Sequence, residues 1–268
     1  LCTRMEESQL SLDSRLAQVV IGVRRSGKST LCLKYFADRK IAPAYVNFDD
    51  DRLASFKTAD LDTLLEALYR LYGDFHYLFM DEIQNVKQWH LFVNRLLRQE
   101  IHIFLTGSNS KLLSGELATH LTGRHNKVEL YPFSFSEYCA FRNVDTTSLS
   151  VKGQALQKAA LTDYLTHGGF PELLNEKNRR SYIMALLDNI IRNDIAKRFK
   201  LRHVDVLYRM AAYLMDSFCQ EFKADEVGRF FRAVLASPKS LPSTLIFCTC
   251  LPLMVMLPLS SMSAPGIR

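Results

Sequence analysis

Eight consecutive residues, Gly22-Val23-Arg24-Arg25-Ser26-Gly27-Lys28-Ser29, carry the clearest chemistry in this chain. Their pattern is G-x-x-x-x-G-K-[ST], the spacing of a phosphate-binding loop. The two glycines let the backbone wrap a phosphate chain with several N–H groups turned inward. Lys28 is placed to reach the β- and γ-phosphates of a nucleotide, and the Ser29 hydroxyl to ligate Mg²⁺. A helix starting here and running on through Thr30 adds the partial positive charge of its first turn. Arg24 and Arg25 are unusual inside such a loop; they either add charge near the phosphates or point to solvent.

A second group follows at Tyr77-Leu78-Phe79-Met80-Asp81-Glu82. The apolar run fits a strand buried on both faces, and it ends in two carboxylates. Asp81 is placed to hold the Mg²⁺ shell, and Glu82 to orient and deprotonate an attacking water. A kinase has to exclude water and has no need of that glutamate, whereas a hydrolase does. A third apolar run, Ile101-His102-Ile103-Phe104-Leu105, leads into Thr106-Gly107-Ser108-Asn109. Small polar residues at the C-terminal end of such a strand fall in the crevice where open α/β sheets bind ligands. Ser108 or Asn109 is thus a candidate to sense a γ-phosphate or the attacking water; the plain alternative is a turn followed by a helix cap.

The elements that must position these groups alternate. Ala17-Gln18-Val19-Val20-Ile21 reads as a buried strand entering the phosphate loop, and Ser29 to Ala37 as a helix leaving it. Ala44-Tyr45-Val46-Asn47-Phe48 is a second strand, ending in Asp49-Asp50-Asp51, which lie either near the site or in a solvated turn. Leu61, Leu64, Leu65, Leu68 and Leu71 recur at helical spacing, as do Trp89, Phe92, Val93, Leu96 and Leu97, and both sets read as core. From 17 to 135 the order is strand, loop, helix, then alternating strands and helices to a fifth strand. That order predicts a parallel sheet flanked by helices: an α/β fold of the P-loop NTPase kind.

Taken together, the phrases at 22–30, Asp-Glu-Ile-Gln-Asn-Val at 81–86, Thr-Gly-Ser-Asn-Ser-Lys-Leu-Leu-Ser at 106–114 and Leu-Thr-Gly-Arg at 121–124 resemble the AAA+ superfamily of P-loop ATPases. Tyr131 to Tyr138 and Gly168-Gly169-Phe170-Pro171-Glu172 extend the likeness to the prokaryotic archaeal-type ATPases that carry a C-terminal domain of unknown function. The resemblance covers roughly residues 15–230 and makes the phosphate loop and Asp81-Glu82 the Walker A and Walker B elements. It implies that Arg124, ahead of the fifth strand, reaches a neighbouring subunit's γ-phosphate, and hence that the active unit is a homo-oligomer; a surface arginine is the alternative. It also implies a helical lid and a partial winged-helix-like module over 136–235, with 222–231 as that module's first helix. The recognition helix that should follow is not legible.

The chain has 268 residues, 48% of them hydrophobic, enough to bury a core and a smaller second domain. The boundaries read as a lead at 1–16, the ATPase domain at 17–135, a smaller, mostly helical region at 136–235, and a tail at 236–268. Of the net charge of +6, residues 136–268 supply +5. Most of it sits in Lys177, Arg179, Arg180, Arg192, Lys197, Arg198, Lys200 and Arg202, a stretch that suits either nucleic acid or a solvated helix face. Six scattered cysteines form no C-x-x-C pair, which fits a reducing cytoplasm. Arg4, Glu6 and Glu7 interrupt any signal-peptide pattern, and Leu1 in place of Met leaves the true start open. Ser240 to Ile267 carries no charge but is broken by prolines, which favours a tail unrelated to the fold over a membrane anchor.

These features predict an ATPase using ATP and Mg²⁺ and coupling nucleotide state to conformational change; the absence of an N-K-x-D motif favours ATP over GTP. The competing readings are a low-turnover nucleotide switch governing a DNA- or protein-binding module, and an inactive truncated fragment. A small-molecule kinase is disfavoured by Glu82.

Overall fold

A computed structural model of the chain describes residues 2–108, 121, 123–197, 200–201 and 203–216. The expected helix after 108, Asn109, Arg198, Arg202, the winged-helix segment at 222–231 and the apolar tail lie outside them. The chain divides into two units, Leu1–Pro132 and Phe133–Arg268.

The first unit is built on five parallel strands, β1 Ala17–Gly22, β2 Ala44–Asn47, β3 Tyr77–Asp81, β4 His102–Ser108 and β5 His125–Leu130, in the spatial order β2-β3-β4-β1-β5. Helices α1 Lys28–Asp38, α2 Leu61–Tyr72 and α3 Trp89–Arg98 connect them. Side chains alternate faces along each strand, and the central strands β1, β3 and β4 are covered on both, which is why they read as largely apolar runs. Val19 and Ile21, Leu78 and Met80, and Ile103 and Leu105 point to one face, where α2 and α3 pack. Val20, Phe79, Phe104 and Val128 point to the other, against Leu31, Tyr35 and Phe36 of α1. Phe36 meets Phe104 edge-on, with ring centroids 4.6 Å apart.

Two expectations shift. β4 does not stop at Leu105: Thr106, Gly107 and Ser108 stay in the ladder opposite Val20, Ile21 and Gly22. Pairing with a central strand overrides the local turn tendency of a Thr-Gly-Ser run. Leu71 falls on the apolar stripe of α2 but is 75% exposed, because the stripe outruns the core it covers. In the lead ahead of β1 a 3₁₀ turn spans Met5–Gln9, and Leu10 is buried in the core beneath α1.

The second unit is helical over its described residues, with α4 Phe135–Phe141, α5 Val151–His167, α6 Arg179–Asn189 and α7 Val204–Asp216. Ser134 and Glu137 form a reciprocal capping box at the start of α4, which anchors its first turn. Gly168, at φ 80, ends α5 in a conformation that favours glycine. α6 does not run on as an α-helix: it is followed by a π-helical segment, Ile190–Ala196, with Lys197 donating to the Arg192 carbonyl at 2.9 Å. The wider turn brings Ile191 and Ile195 into an apolar cluster with Leu207 and Ala211 of α7. Among the described residues no helix is long and apolar enough to cross a membrane.

Candidate nucleotide site at the sheet's C-terminal edge

Parallel strands end together, so the tips of β1, β3 and β4 form one edge. The phosphate loop leaves β1 at Gly22. A Cβ there would lie 2.1 Å from the Leu130 carbonyl oxygen on β5, so only glycine fits. Gly27 has φ 93 and caps α1 without a side-chain bond to the helix's first N–H groups. An uncapped helix start preceded by such a loop is a ready anion site. Lys28, 5% exposed, folds back so that Nζ donates to the Val23 carbonyl at 3.0 Å. Ser26 is buried, whereas Arg24, Arg25 and Thr30 are exposed.

β1 and β3 are not neighbours, because β4 runs between them. Their functional groups nonetheless meet. The Ser29 hydroxyl donates to Asp81 Oδ1 at 2.9 Å. Thr106, fully buried at the tip of β4, donates to the same Oδ1, and its oxygen accepts from the Glu82 N–H at 3.1 Å. Tyr45 of β2 donates to Asp81 Oδ2 at 3.3 Å, and burial beside that carboxylate pushes its phenol up to about 12. Thr106 and Tyr45 were not singled out from sequence. The only sign of Thr106 was its place directly after an apolar run, and Tyr45 looked like a strand aromatic.

Glu82 turns the chain with φ 52, unusual for a non-glycine residue and the kind of departure that clusters at functional sites. Its Oε1 is 3.8 Å from Lys28 Nζ, and its Oε2 accepts from the Gln84 amide. Gln84 Oε1 is buried without a partner. Beneath the loop, burial drives the Cys32 thiol far up, with the Asp81 charge adding and Lys28 opposing, so this cysteine is not a nucleophile.

The donor set fits a hard cation: a hydroxyl and a carboxylate already in contact. Among the described residues no cluster of three or more His, Cys, Asp or Glu is placed to hold a metal alone. A Mg²⁺ held by Ser29 and Asp81 would take further ligands from phosphate and water oxygens.

Two expected residues stand apart. The Ser108 backbone ends β4 opposite Gly22, at the right edge. Arg124 precedes β5 and is exposed; its carbonyl accepts from Ala17 N–H at 3.0 Å, at the start of β1. It thus stands at the opposite end of the sheet from Gly22, and the structure does not bring it to this chain's own site. Asp49, Asp50 and Asp51 line a separate hollow of about 290 Å³ with Phe48, Phe56 and Asn85. Of the basic stretch in the second unit, Arg179 is bonded to Asp163 and Arg192 to Asp188, while Lys177, Arg180, Lys197 and Lys200 are exposed.

Residues 14–139 match the family model of an AAA domain. An uncharacterized protein of Methanocaldococcus jannaschii is 33% identical over 235 residues, covering 84% of this chain and 52% of the relative. One from Haemophilus influenzae is 34% identical over 218 residues, covering 78% and 53%. The chain thus spans about half the length of these curated relatives. Among solved structures, the Thermotoga maritima RuvB Holliday junction branch migration motor is similar at 16% identity and a TM-score of 0.41, covering 88% of this chain and 78% of that one. AMPPCP-bound DnaA from Aquifex aeolicus is similar at 14% and 0.36, covering 92% and 84%. With the strand order, the loop and the carboxylate pair in place, residues 14–139 belong to the AAA domain family, on the P-loop fold of the AAA+ superfamily.

Proposed function

We propose that the first unit binds Mg²⁺-ATP at the phosphate loop and hydrolyses it, and that the nucleotide state drives conformational change in the chain. The observation that carries this reading is the Asp81 carboxylate, held by the Ser29 and Thr106 hydroxyls from two other elements, with Glu82 next along the chain beside buried Lys28. Ser29 and Asp81 would hold the Mg²⁺, whose chemistry is to neutralise charge on the phosphoryl oxygens. Lys28 supplies a fixed positive charge at the same place. Glu82 orients a water and accepts its proton, and Thr106 fixes the Glu82 backbone so that this carboxylate faces the site.

Ser108 and Asn109, at and beyond the β4 tip, belong to this proposal as γ-phosphate sensors. Arg124 belongs to it only in trans, since from the far end of the sheet it can serve no site but another copy's; the active form is then a homo-oligomer. Contact with nucleic acid through Lys177, Arg180, Lys197 and Lys200 is a secondary proposal.

The test is phosphate release from ATP by the wild type, Glu82→Gln and Lys28→Ala, with and without duplex DNA. Both variants should lose about 100-fold or more, the scale of a general base or a preorganised charge. Glu82→Gln should still bind ATP, whereas Lys28→Ala should bind it weakly. A wild type that binds ATP but turns over no faster than Glu82→Gln would replace hydrolysis with the switch reading. Stimulation by DNA supports the nucleic-acid contact, and its absence removes it.

A further inference from the structure

The segment ahead of β1 reaches the phosphate loop through Arg4. Only 6% of this residue is exposed. Nη1 donates to the Ser26 carbonyl at 3.1 Å. Nη2 donates to the Tyr131 carbonyl, just past β5, at 2.6 Å, and lies 3.8 Å from Glu6 Oε2. A buried guanidinium is tolerated only when paired and hydrogen-bonded, so these partners fix it in one geometry. The segment itself is tied down elsewhere. Glu7 pairs with Lys34 of α1 and with Arg39, just past its end, at 3.2 and 3.4 Å, and Tyr35 of α1 donates to the Leu10 carbonyl at 2.9 Å.

The bond to Ser26 has a consequence for the loop. No peptide among the described residues is cis, so the Ser26 carbonyl and the Gly27 N–H point in opposite directions. With the carbonyl turned to Arg4, the Gly27 N–H must face the other way. Gly27, at φ 93, belongs to the one residue type that moves between signs of φ at little steric cost, so its own sequence does not fix this peptide plane. Nor does the Ser26 side chain, whose buried Oγ has no hydrogen-bond partner.

We propose that Arg4 is a positioning residue of the phosphate loop: by holding the Ser26 carbonyl it aims the Gly27 N–H at the bound phosphate chain and so sets the affinity for it. This inference rests on the reading that the loop takes the phosphates of a nucleotide. Arg4 touches no substrate; it acts through the peptide it holds.

The experiment titrates Mg²⁺-ATP and Mg²⁺-ADP into the wild type, Arg4→Ala, Arg4→Lys and Glu7→Gln, and follows phosphate release and thermal unfolding. Arg4→Ala should weaken both nucleotides about tenfold, the scale of one charge-assisted hydrogen bond. The loss should fall on KM, with kcat within about threefold, as expected for an interaction made equally before and during reaction. Arg4→Lys keeps the charge and one donor and should recover part of the affinity; it decides the matter if Arg4→Ala does not fold. Glu7→Gln loosens the segment without touching the peptide and should lower the unfolding temperature while leaving affinity within about twofold, the scale of a partly exposed ion pair. Folded Arg4 variants that bind as the wild type does would overturn the proposal, as would an equal loss in Glu7→Gln. A wild type that binds neither nucleotide would instead sink the nucleotide reading.

Discussion

Two carboxylates, one in each unit, show what their surroundings are for. Asp163 on α5 accepts from Tyr138 and from Arg179 at 3.0 Å, and pairs with Arg142 at 3.6 Å and His167 at 2.8 Å. Burial alone would raise its carboxyl, but the bonds from Tyr138 and Arg179 and the charges of Arg179 and His167 outweigh it and hold the group below the usual range. Asp81 is more deeply buried, yet the hydrogen bonds its carboxylate accepts come from neutral groups, the hydroxyls of Ser29, Tyr45 and Thr106. Asp163 is neutralised from within and clasps α4, α5 and the start of α6. Asp81 is oriented by neutral hydroxyls, an arrangement suited to presenting a carboxylate oxygen to a cation. Depth of burial does not separate the two roles; the kind of partner does.

The contrast is sharpest under substitution. Asp81→Asn should lower ATP turnover about 100-fold or more, the scale of removing a preorganised charge from a reacting site, while the sheet stays folded. Phosphate release and circular dichroism together would show it; a variant with wild-type turnover would make Asp81 a second structural clasp.

Asp163→Asn should do the reverse, destabilising the protein by about 1–3 kcal/mol because its partners lose the carboxylate's charge and one of its two acceptor oxygens. Nucleotide affinity should stay near wild type. Because the folded carboxyl titrates below its unfolded value, its stabilisation is present above the ordinary aspartate pKa of about 3.9 and is lost as pH falls through the depressed folded value. Unfolding midpoints against pH should therefore converge for the two proteins in acid. A constant gap down to the lowest pH would break the comparison.

Tyr45→Phe is the mildest probe. Its bond to Asp81 is long, and Ser29 and Thr106 remain, so turnover should change by no more than about twofold. A larger loss would make the phenol a working part of the cation shell.

The phosphate loop and the Asp81-Glu82 pair were legible because their chemistry needs contiguous residues flanked by a strand and a helix. The middle of the sheet was legible because strands buried on both faces leave apolar runs. Thr106, Tyr45 and Arg4 were not, because their roles depend on which strands become neighbours. The insertion of β4 between β1 and β3 makes Thr106 the bridge, and nothing local to 104–108 announces that order. Arg4 sits in a segment without periodicity, 22 residues from the carbonyl it holds. The π-helical turn after α6 escaped for the same reason: packing against α7 sets it, not local propensity.

Gly22 bears on how variants of the loop should be interpreted. The first glycine of a phosphate motif invites substitution as a probe of ligand contact. Here a methyl group at that position would run into the backbone of the adjoining strand before it met any phosphate. The consensus letter at this site therefore records sheet closure as much as nucleotide chemistry, and an alanine variant that lost activity would be reporting a strand forced apart.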